Sequence, residues 1–450
     1  MAFFDRSHSI AKPGFNRWLV PPAALCIHLC IGEAYAFSVF TKPMSQAIGV
    51  TAPAPGVDWS VPALGWIFSL AILCLGLSAA FGGKWVERAG PRAAMFVAAL
   101  CFSSGLIVAA IGVNAHWLWL VYLGYGVIGG CGLGIGYISP VSTLIKWFPD
   151  RPGLATGTAI MGFGGGAMIG APLSVLLMKH FANASGTGVA QTMIVLGILY
   201  FIWMFAGSLI VRVPNEGWKP AGYVAPAASR GMITTRNVVR EQALRTPQFY
   251  LLWLVLCLNV TAGIGILSQA SLMIQDMFGV TAIAAAGFVG LISIFNMGGR
   301  IFWASLSDFL GRKTTYAIFF VVGAVLYALL PTLGHAQALA LFVLAVLIII
   351  SMYGGGFASI PAYLRDLYGT INVGAIHGAL LTAWSVAGIA GPVLVNYIRQ
   401  YQIDRGVAKA DAYAVTMYVM AALLVVGLLS NLAVRPVDER HYLETQDART

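Results

Sequence analysis

The sequence predicts an all-α membrane protein with twelve transmembrane helices, and three observations predict this fold class. Of the 450 residues, 59% are hydrophobic and only 9% are charged, whereas soluble domains carry about 25% charged residues. Apolar stretches recur with the length of about 20 residues that a helix needs to cross a bilayer. The 52 glycines suit helices that pack closely inside a membrane. This composition excludes an ordinary soluble protein and a disordered chain.

The apolar stretches, bounded by polar residues, proline and glycine, define the predicted spans. The first one is too long for the core of a signal peptide and lacks a clear cleavage site, so we expect it to remain in the protein. The predicted spans cover residues 18–40, 61–83, 93–113, 117–140, 153–178, 190–212, 249–274, 279–303, 314–333, 336–358, 374–398 and 412–434.

The basic residues indicate the orientation of these spans. The net charge of +10 would suggest nucleic-acid binding in a soluble chain, but here the basic residues lie between the apolar stretches. Lys and Arg are concentrated in segments on the same side as both termini, for example Lys84, Arg88 and Arg92 after the second span. Because basic loops stay inside the cell, both termini are predicted to be cytoplasmic, and no nucleic-acid partner is expected.

One long polar connection divides the chain. Residues 213–248 are predicted to form a cytoplasmic linker between an N-terminal six-helix half, 1–212, and a C-terminal half with a short tail, 249–450. Residues that match at an offset of 221 support two pseudo-repeats, an architecture of transporters whose substrate site lies near the middle of the membrane. The matching pairs are Gly83 and Ala304, Glu87 and Asp308, Gly90 and Gly311, Arg92 and Lys313, Gly157 and Gly378, and Gly170 and Gly391.

Other chemistries find no support in the sequence. The glycine-rich stretches 129–136, 162–166 and 354–356 do not form a phosphate-binding loop, because no Lys-Ser/Thr pair follows them and all lie inside spans. The six cysteines also lie in apolar stretches, which argues against a disulfide framework or a zinc site. We therefore expect no metal, no cofactor and no enzymatic activity, and gradients or exchange must supply any energy.

Two ionisable residues other than histidine lie well inside predicted spans, Glu33 in the first and Arg300 in the eighth. Each costs about 2.5–3.5 kcal/mol at a helix centre, so such residues usually face a bundle interior or a wet cavity. The planar guanidinium of Arg300 suits a carboxylate, and Asn296, four residues earlier, shares its helix face. The alternative for Arg300 is a structural bond to helix carbonyls.

Proton coupling requires a group that takes up and releases a proton inside the membrane. Glu33 is the main candidate, because it is the only carboxylate well inside a predicted span. His377 in the eleventh span is the alternative, since imidazole exchanges protons near neutral pH. His28 is a weaker third candidate, and for it we favour a packed side chain bonded to a helix carbonyl.

Residues 83–92, GKWVERAGPR, and residues 304–313, ASLSDFLGRK, each combine an acid, a glycine and basic residues. They resemble the signature that follows spans 2 and 8 in the major facilitator superfamily. Further strings resemble its oxalate:formate antiporter family, the prokaryotic relatives of monocarboxylate transporters. These strings are NRWL at 16–19, IGEAYAF at 31–37, KWFPDRPGLATG at 146–157 and RTPQF at 245–249. The likeness covers nearly all of residues 16–435.

The duplicated signature indicates a cytoplasmic gate. Its charges can pair with each other or with helix ends and so hold the halves in one conformation; the alternative is a pair of tight turns with ordinary basic loop residues. The predicted gating residues are Glu87, Arg88, Arg92, Asp308, Arg312 and Lys313.

The resemblance also implies a substrate site. In related monocarboxylate transporters an arginine in span 8 binds the substrate carboxylate, with an acid four residues before it, and here Asn296 replaces that acid. Oxalate-exchanging members carry a lysine in span 11, where this chain has Trp384 and no Lys or Arg in 374–398. One cavity cation favours a monoanion, although Trp384 could also be lipid-facing packing. The resemblance further places four aromatic residues around the cavity, each with an alternative role in the core: Tyr35, Tyr137, Tyr353 and Phe357.

The sequence therefore predicts a secondary transporter of a small monocarboxylate of the formate, lactate or pyruvate class, working by proton symport or anion exchange. An oxalate/formate exchanger is the alternative, and a carboxylate receptor that does not transport is a more distant one. We expect a monomer in the lipid bilayer of a prokaryotic inner membrane, with protons as a candidate co-substrate.

Overall fold

The computed structural model describes residues 6–184, 186–215, 217–223 and 232–443. These residues form an all-helical protein, and twelve of their helical stretches are long and apolar enough to cross a membrane, as the sequence predicts. The α-helices are α1 (Val20–Ile31), α2 (Ser38–Met44), α3 (Val61–Ala89), α4 (Pro91–Asn114), α5 (Leu118–Val121), α6 (Gly130–Trp147), α7 (Pro152–Phe181), α8 (Val189–Ile210), α9 (Arg240–Ala243), α10 (Pro247–Phe278), α11 (Ala282–Leu310), α12 (Arg312–His335), α13 (Leu339–Tyr368), α14 (Val373–Leu380), α15 (Thr382–Asp404) and α16 (Ala414–Ala433).

Three of the membrane-crossing stretches are interrupted helices. α1 continues into a 3₁₀ stretch, Gly32–Ala36, and α5 is joined to α6 by a π-helical stretch, Tyr122–Gly129. α14 and α15 are separated by a turn at Leu381. Irregular turns inside spans often occur at functional sites and at the substrate sites of transporters. The residues beside these three interruptions are therefore candidates for a functional site.

The helices extend beyond several predicted spans. α3 continues to Ala89 and α11 to Leu310, six to seven residues past the apolar stretches, because their last turns carry the charged residues that an apolar criterion leaves out. Both helices end at glycines with left-handed backbone angles, φ +83° at Gly90 and φ +82° at Gly311, which other residues rarely adopt. The next helix follows at once in both cases.

Contacts divide the chain into two compact units. The first comprises Met1–Asp150, Thr158–Tyr223 and Gly374–Ser385, and the second comprises Arg151–Gly157, Val224–Val373 and Val386–Thr450. The start of α7 thus belongs to the second unit, and most of α14 belongs to the first. The division into 1–212, 213–248 and 249–450 stays a prediction; residues 1–5, 185, 216, 224–231 and 444–450 of those segments lie outside the described residues.

The repeat is visible as equivalent contacts inside the two units. In the second unit, a Cβ atom at Gly157 would lie 2.6 Å from the carbonyl oxygen of Arg300. In the first unit, a Cβ at Gly378 would collide with the carbonyl oxygen of Ala79. The residue numbers of both partners differ by the same offset of 221, so each unit uses glycine at the same place for close helix packing.

Candidate functional site

Four rings of the first unit form one group, which we call the aromatic cluster: Tyr35, Tyr137, Phe163 and Trp384. Phe163 lies 5.0 Å from Tyr35 and 5.2 Å from Trp384 between ring centroids. Tyr137 lies 5.3 Å from Trp384. Tyr137, Phe163 and Trp384 are fully buried, while Tyr35 is half-buried. The burial of Trp384 excludes the lipid-facing alternative, and the structure brings three predicted site residues together around Phe163.

The interrupted helices position this cluster. Tyr35 lies on the 3₁₀ stretch, and Trp384 follows the turn at Leu381, whose carbonyl accepts a hydrogen bond from the Trp384 N–H at 2.9 Å. A Cβ at Gly32 would lie 2.8 Å from the Cα of Phe163, so only glycine permits this approach of the 3₁₀ stretch to α7. The hydroxyl of Ser385 donates to the carbonyls of Ile72 and Leu73 at 3.2 and 3.0 Å and fixes the start of α15 against α3.

Two histidines contact Tyr137 but differ in their surroundings. His28 is buried, with Nδ1 2.6 Å from the Ala159 carbonyl oxygen and Nε2 3.2 Å from that of Tyr137, which agrees with the packed role favoured for it. His377 on α14 is also buried, and its ring lies 5.9 Å from the Tyr137 ring. Neither ring nitrogen of His377 has a hydrogen-bond partner among the described residues.

Glu33 occupies a separate polar position in the first unit. It is fully buried, and its Oε2 accepts a hydrogen bond of 3.2 Å from Tyr125, on the π-helical stretch. Within the described chain, Oε1 has no hydrogen-bond partner. A Cβ at Gly170 would lie 3.0 Å from the Glu33 Cγ and 3.4 Å from the Tyr200 hydroxyl. Glu33 therefore lies with Tyr125 and Tyr200, neither of which belongs to the aromatic cluster.

In the second unit, Arg300 is the centre of a second site, the arginine centre, with Asn296, Tyr353 and Phe357. Arg300 is fully buried, and its Nε donates to the Asn296 Oδ1 at 3.2 Å. Its guanidinium carbon lies 5.5 Å from the Phe357 ring, which in turn lies 5.3 Å from Tyr353. A Cβ at Gly354 would lie 2.7 Å from the Asn296 Oδ1. Arg300 and Asn296 thus share one face of α11, as predicted, and α13 packs closely against that face.

The two acids of the repeated signature each cap the start of another helix. In the second unit, Asp308 accepts from the backbone N–H groups of Gly153 and Leu154 at 2.9 and 3.1 Å, at the N-terminus of α7. In the first unit, Glu87 accepts from the N–H of Gly374 at 3.2 Å, at the N-terminus of α14. Positions 87 and 308, and positions 153 and 374, are again 221 apart. A carboxylate at a helix N-terminus is favoured by the helix dipole.

Each capping acid also has a basic partner. Lys146 lies 2.6 Å from Glu87, and Arg312 lies 2.5 Å from Asp308. Arg312 also reaches Asp366 at 3.2 Å and donates to Ser307. Of the other predicted gating residues, Lys313 donates to the carbonyls of Leu432 and Val434 at the end of α16, Arg92 is buried and Arg88 is exposed.

Several of these residues were not predicted as site residues. Phe163 is 221 residues before Trp384, so the repeat could have found it. Lys146 lies in the string 146–157, where its charge alone predicts only a basic loop residue. Tyr125, Tyr200 and Asp366 carry no sequence signal, because only the packing of helices distant in the chain brings them to Glu33 or Arg312.

The twelve membrane-crossing stretches, interrupted helices and buried ionisable residues define a polytopic integral membrane protein of the transporter class. Residues 23–392 match the Major Facilitator Superfamily. The chain therefore belongs to this superfamily, whose members transport small solutes and are not enzymes, as the repeated signature predicts.

The similar proteins include carriers of small organic acids. The "Oxalate:formate antiporter" of Oxalobacter formigenes is 27% identical over 84% of this chain and 83% of its own. "Monocarboxylate transporter 11" of Homo sapiens is 24% identical over 85% of this chain and 77% of its own. Among solved structures, that of the proton:xylose symporter XylE has a TM-score of 0.70 at 14% identity and covers 98% of this chain and 99% of its own. The predicted resemblance is confirmed, and the solved structure supports the fold.

Proposed function

We propose that this transporter moves a small monocarboxylate of the formate, lactate or pyruvate class by alternating access. The observation that carries the proposal is the fully buried guanidinium of Arg300, whose Nε is held by the neutral amide of Asn296. Asn296 orients the planar fork without neutralising its charge, and such a fork binds a carboxylate through two parallel hydrogen bonds.

The charge of the site favours a monoanion over a dianion. Trp384, fully buried in the first unit, occupies the position at which the resemblance expects a second cation in oxalate exchangers. In uptake by proteoliposomes, we expect lactate, pyruvate and formate each to compete better than oxalate against a labelled monocarboxylate at equal concentration. If oxalate is the strongest competitor, the charge of the site does not select monoanions over dianions.

That opposite result would favour an oxalate/formate exchanger, a function consistent with the similarity to the Oxalobacter formigenes protein. Saturable binding without uptake would instead indicate a receptor. We further propose a monomer in a prokaryotic inner membrane, with both termini in the cytoplasm on the basic side of the spans.

We also propose that the two capping acids act as a gate that breaks and reforms during transport. Glu87 and Asp308 each join the end of one span to the start of a span from the other predicted half. The hydrogen bonds at these helix N-termini depend on a charged carboxylate. Opening of the proposed gate must therefore separate Glu87 from the start of α14 and Asp308 from the start of α7.

Asp308→Asn should destabilise the protein more than Glu87→Gln. The Asp308–Arg312 pair is the more buried, with exposed side-chain fractions of 13% and 6%, against 16% and 26% for Glu87 and Lys146. Losing a buried charged partner costs about 2 kcal/mol, whereas a more exposed pair contributes less than about 1 kcal/mol. Thermal unfolding in detergent measures the difference. Equal melting temperatures for Asp308→Asn and wild type would contradict the role given to this pair.

A further inference from the structure

His377 is a buried imidazole that the packing leaves unsatisfied. Its exposed fraction is 1%, and neither ring nitrogen finds a hydrogen-bond partner in the described part of the chain. Buried polar groups are normally paired, because an unpaired one loses its hydration without replacement. His377 lies at the edge of the aromatic cluster through its contact with Tyr137, and four residues before the helix interruption at Leu381.

The internal repeat supplies a comparison for this position. The equivalent of His377 at the offset of 221 is Thr156, and the equivalent of Tyr137 is Ala358. Thr156 is buried, and its hydroxyl donates to the Ala358 carbonyl at 2.8 Å. In the second unit the polar side chain at this position is therefore satisfied by the protein. In the first unit the same position carries a larger side chain whose nitrogens are left for another partner.

His28 provides a second comparison within the same unit. It is a buried histidine beside the same tyrosine, yet both of its nitrogens lie within hydrogen-bond distance of backbone carbonyls. Packing a histidine next to Tyr137 therefore does not by itself leave the ring without a hydrogen-bond partner. The difference between the two residues points to a ligand at His377.

We propose that His377, in the first unit, binds a hydroxyl or keto oxygen of the solute. This inference rests on the proposed monocarboxylate function. A neutral imidazole offers one donor and one acceptor, so one ring nitrogen can donate to a keto oxygen, or the other can accept a hydrogen bond from a hydroxyl. The apolar rings of the cluster strengthen such a bond by excluding water. The preferred solutes are expected to be 2-hydroxy and 2-oxo monocarboxylates, and analogues with the same carbon skeleton but without the second oxygen should be poorer substrates.

Lactate and propionate share a carbon skeleton and differ in one hydroxyl, so they isolate this contact. We expect wild-type protein in proteoliposomes to take up labelled lactate with a kcat/KM about tenfold or more above that of propionate, since a site built for a hydroxyl rejects the analogue that lacks it. His377→Leu should bring the ratio close to one by raising the KM for lactate. His377→Gln, which keeps a donor and an acceptor, should retain part of the preference.

His28→Gln is the matched control and should leave the ratio unchanged. An unchanged ratio in His377→Leu, in protein that still transports, would overturn the inference while leaving the proposed function intact. Equal losses of lactate and propionate accumulation under a pH gradient would also overturn it, because they would indicate proton transfer by His377. If wild-type protein transports none of the carboxylates tested, the proposed function itself fails, and the inference fails with it.

Discussion

Arg300→Ala should reduce carboxylate uptake to background, and Arg300→Lys should reduce it by about tenfold or more. Lysine keeps the charge, but its ammonium is a point charge that cannot bond Asn296 and present a planar fork at the same time. The loss of bidentate geometry therefore weakens binding even though the electrostatic attraction is retained. Initial rates in proteoliposomes, normalised to the amount of reconstituted protein, measure both effects.

Arg399 is a suitable control for these variants. It is another arginine of the second unit, but it lies 2.7 Å from Asp276, which also accepts a hydrogen bond from Tyr413. Its charge is already matched by a carboxylate, so Arg399→Lys should preserve the substrate affinity. Wild-type uptake by Arg300→Ala, in protein that reaches the membrane, would remove Arg300 from the substrate site.

Composition and spacing predict the architecture well because each membrane span must satisfy its own backbone hydrogen bonds and expose apolar side chains. Gly90 and Gly311 show that the sequence also predicts where two adjoining helices turn. Their matching positions were found in the sequence, and both have the left-handed backbone angle that a turn between adjoining helices requires. The last charged turns of α3 and α11 were missed, because a helix can continue past its apolar part when its end reaches water.

Without the family resemblance, the candidate site was predictable only where a residue was unusual for a membrane. Glu33 and Arg300 stand out because charge inside a span is rare, and both are fully buried. Tyr125 is an ordinary tyrosine in the sequence, and it reaches Glu33 from the π-helical stretch. Helix periodicity cannot anticipate that stretch. The partners of a buried charge depend on tertiary packing, which local sequence does not encode.

The second large effect concerns the coupling of anion transport to proton movement. Accumulating a monoanion against an inside-negative potential costs about 2.3 kcal/mol per charge per 100 mV, so a co-transported proton or an exchanged anion must offset it. We propose that Glu33 carries the proton. Glu33→Gln should abolish accumulation driven by a pH gradient, because the amide cannot take up and release a proton. Uptake of a labelled monocarboxylate into proteoliposomes with an acidic exterior measures this loss.

The same variant should still exchange labelled for unlabelled substrate between compartments of equal pH, since exchange requires no net proton release. Glutamine has nearly the shape of glutamate, and its carbonyl can keep the hydrogen bond from Tyr125 that the carboxylate accepts at 3.2 Å. A loss of both activities would therefore indicate damage to packing rather than to coupling. Normal accumulation by Glu33→Gln under the imposed gradient would make Glu33 structural, and His377 or anion exchange would then be the candidates for offsetting the charge.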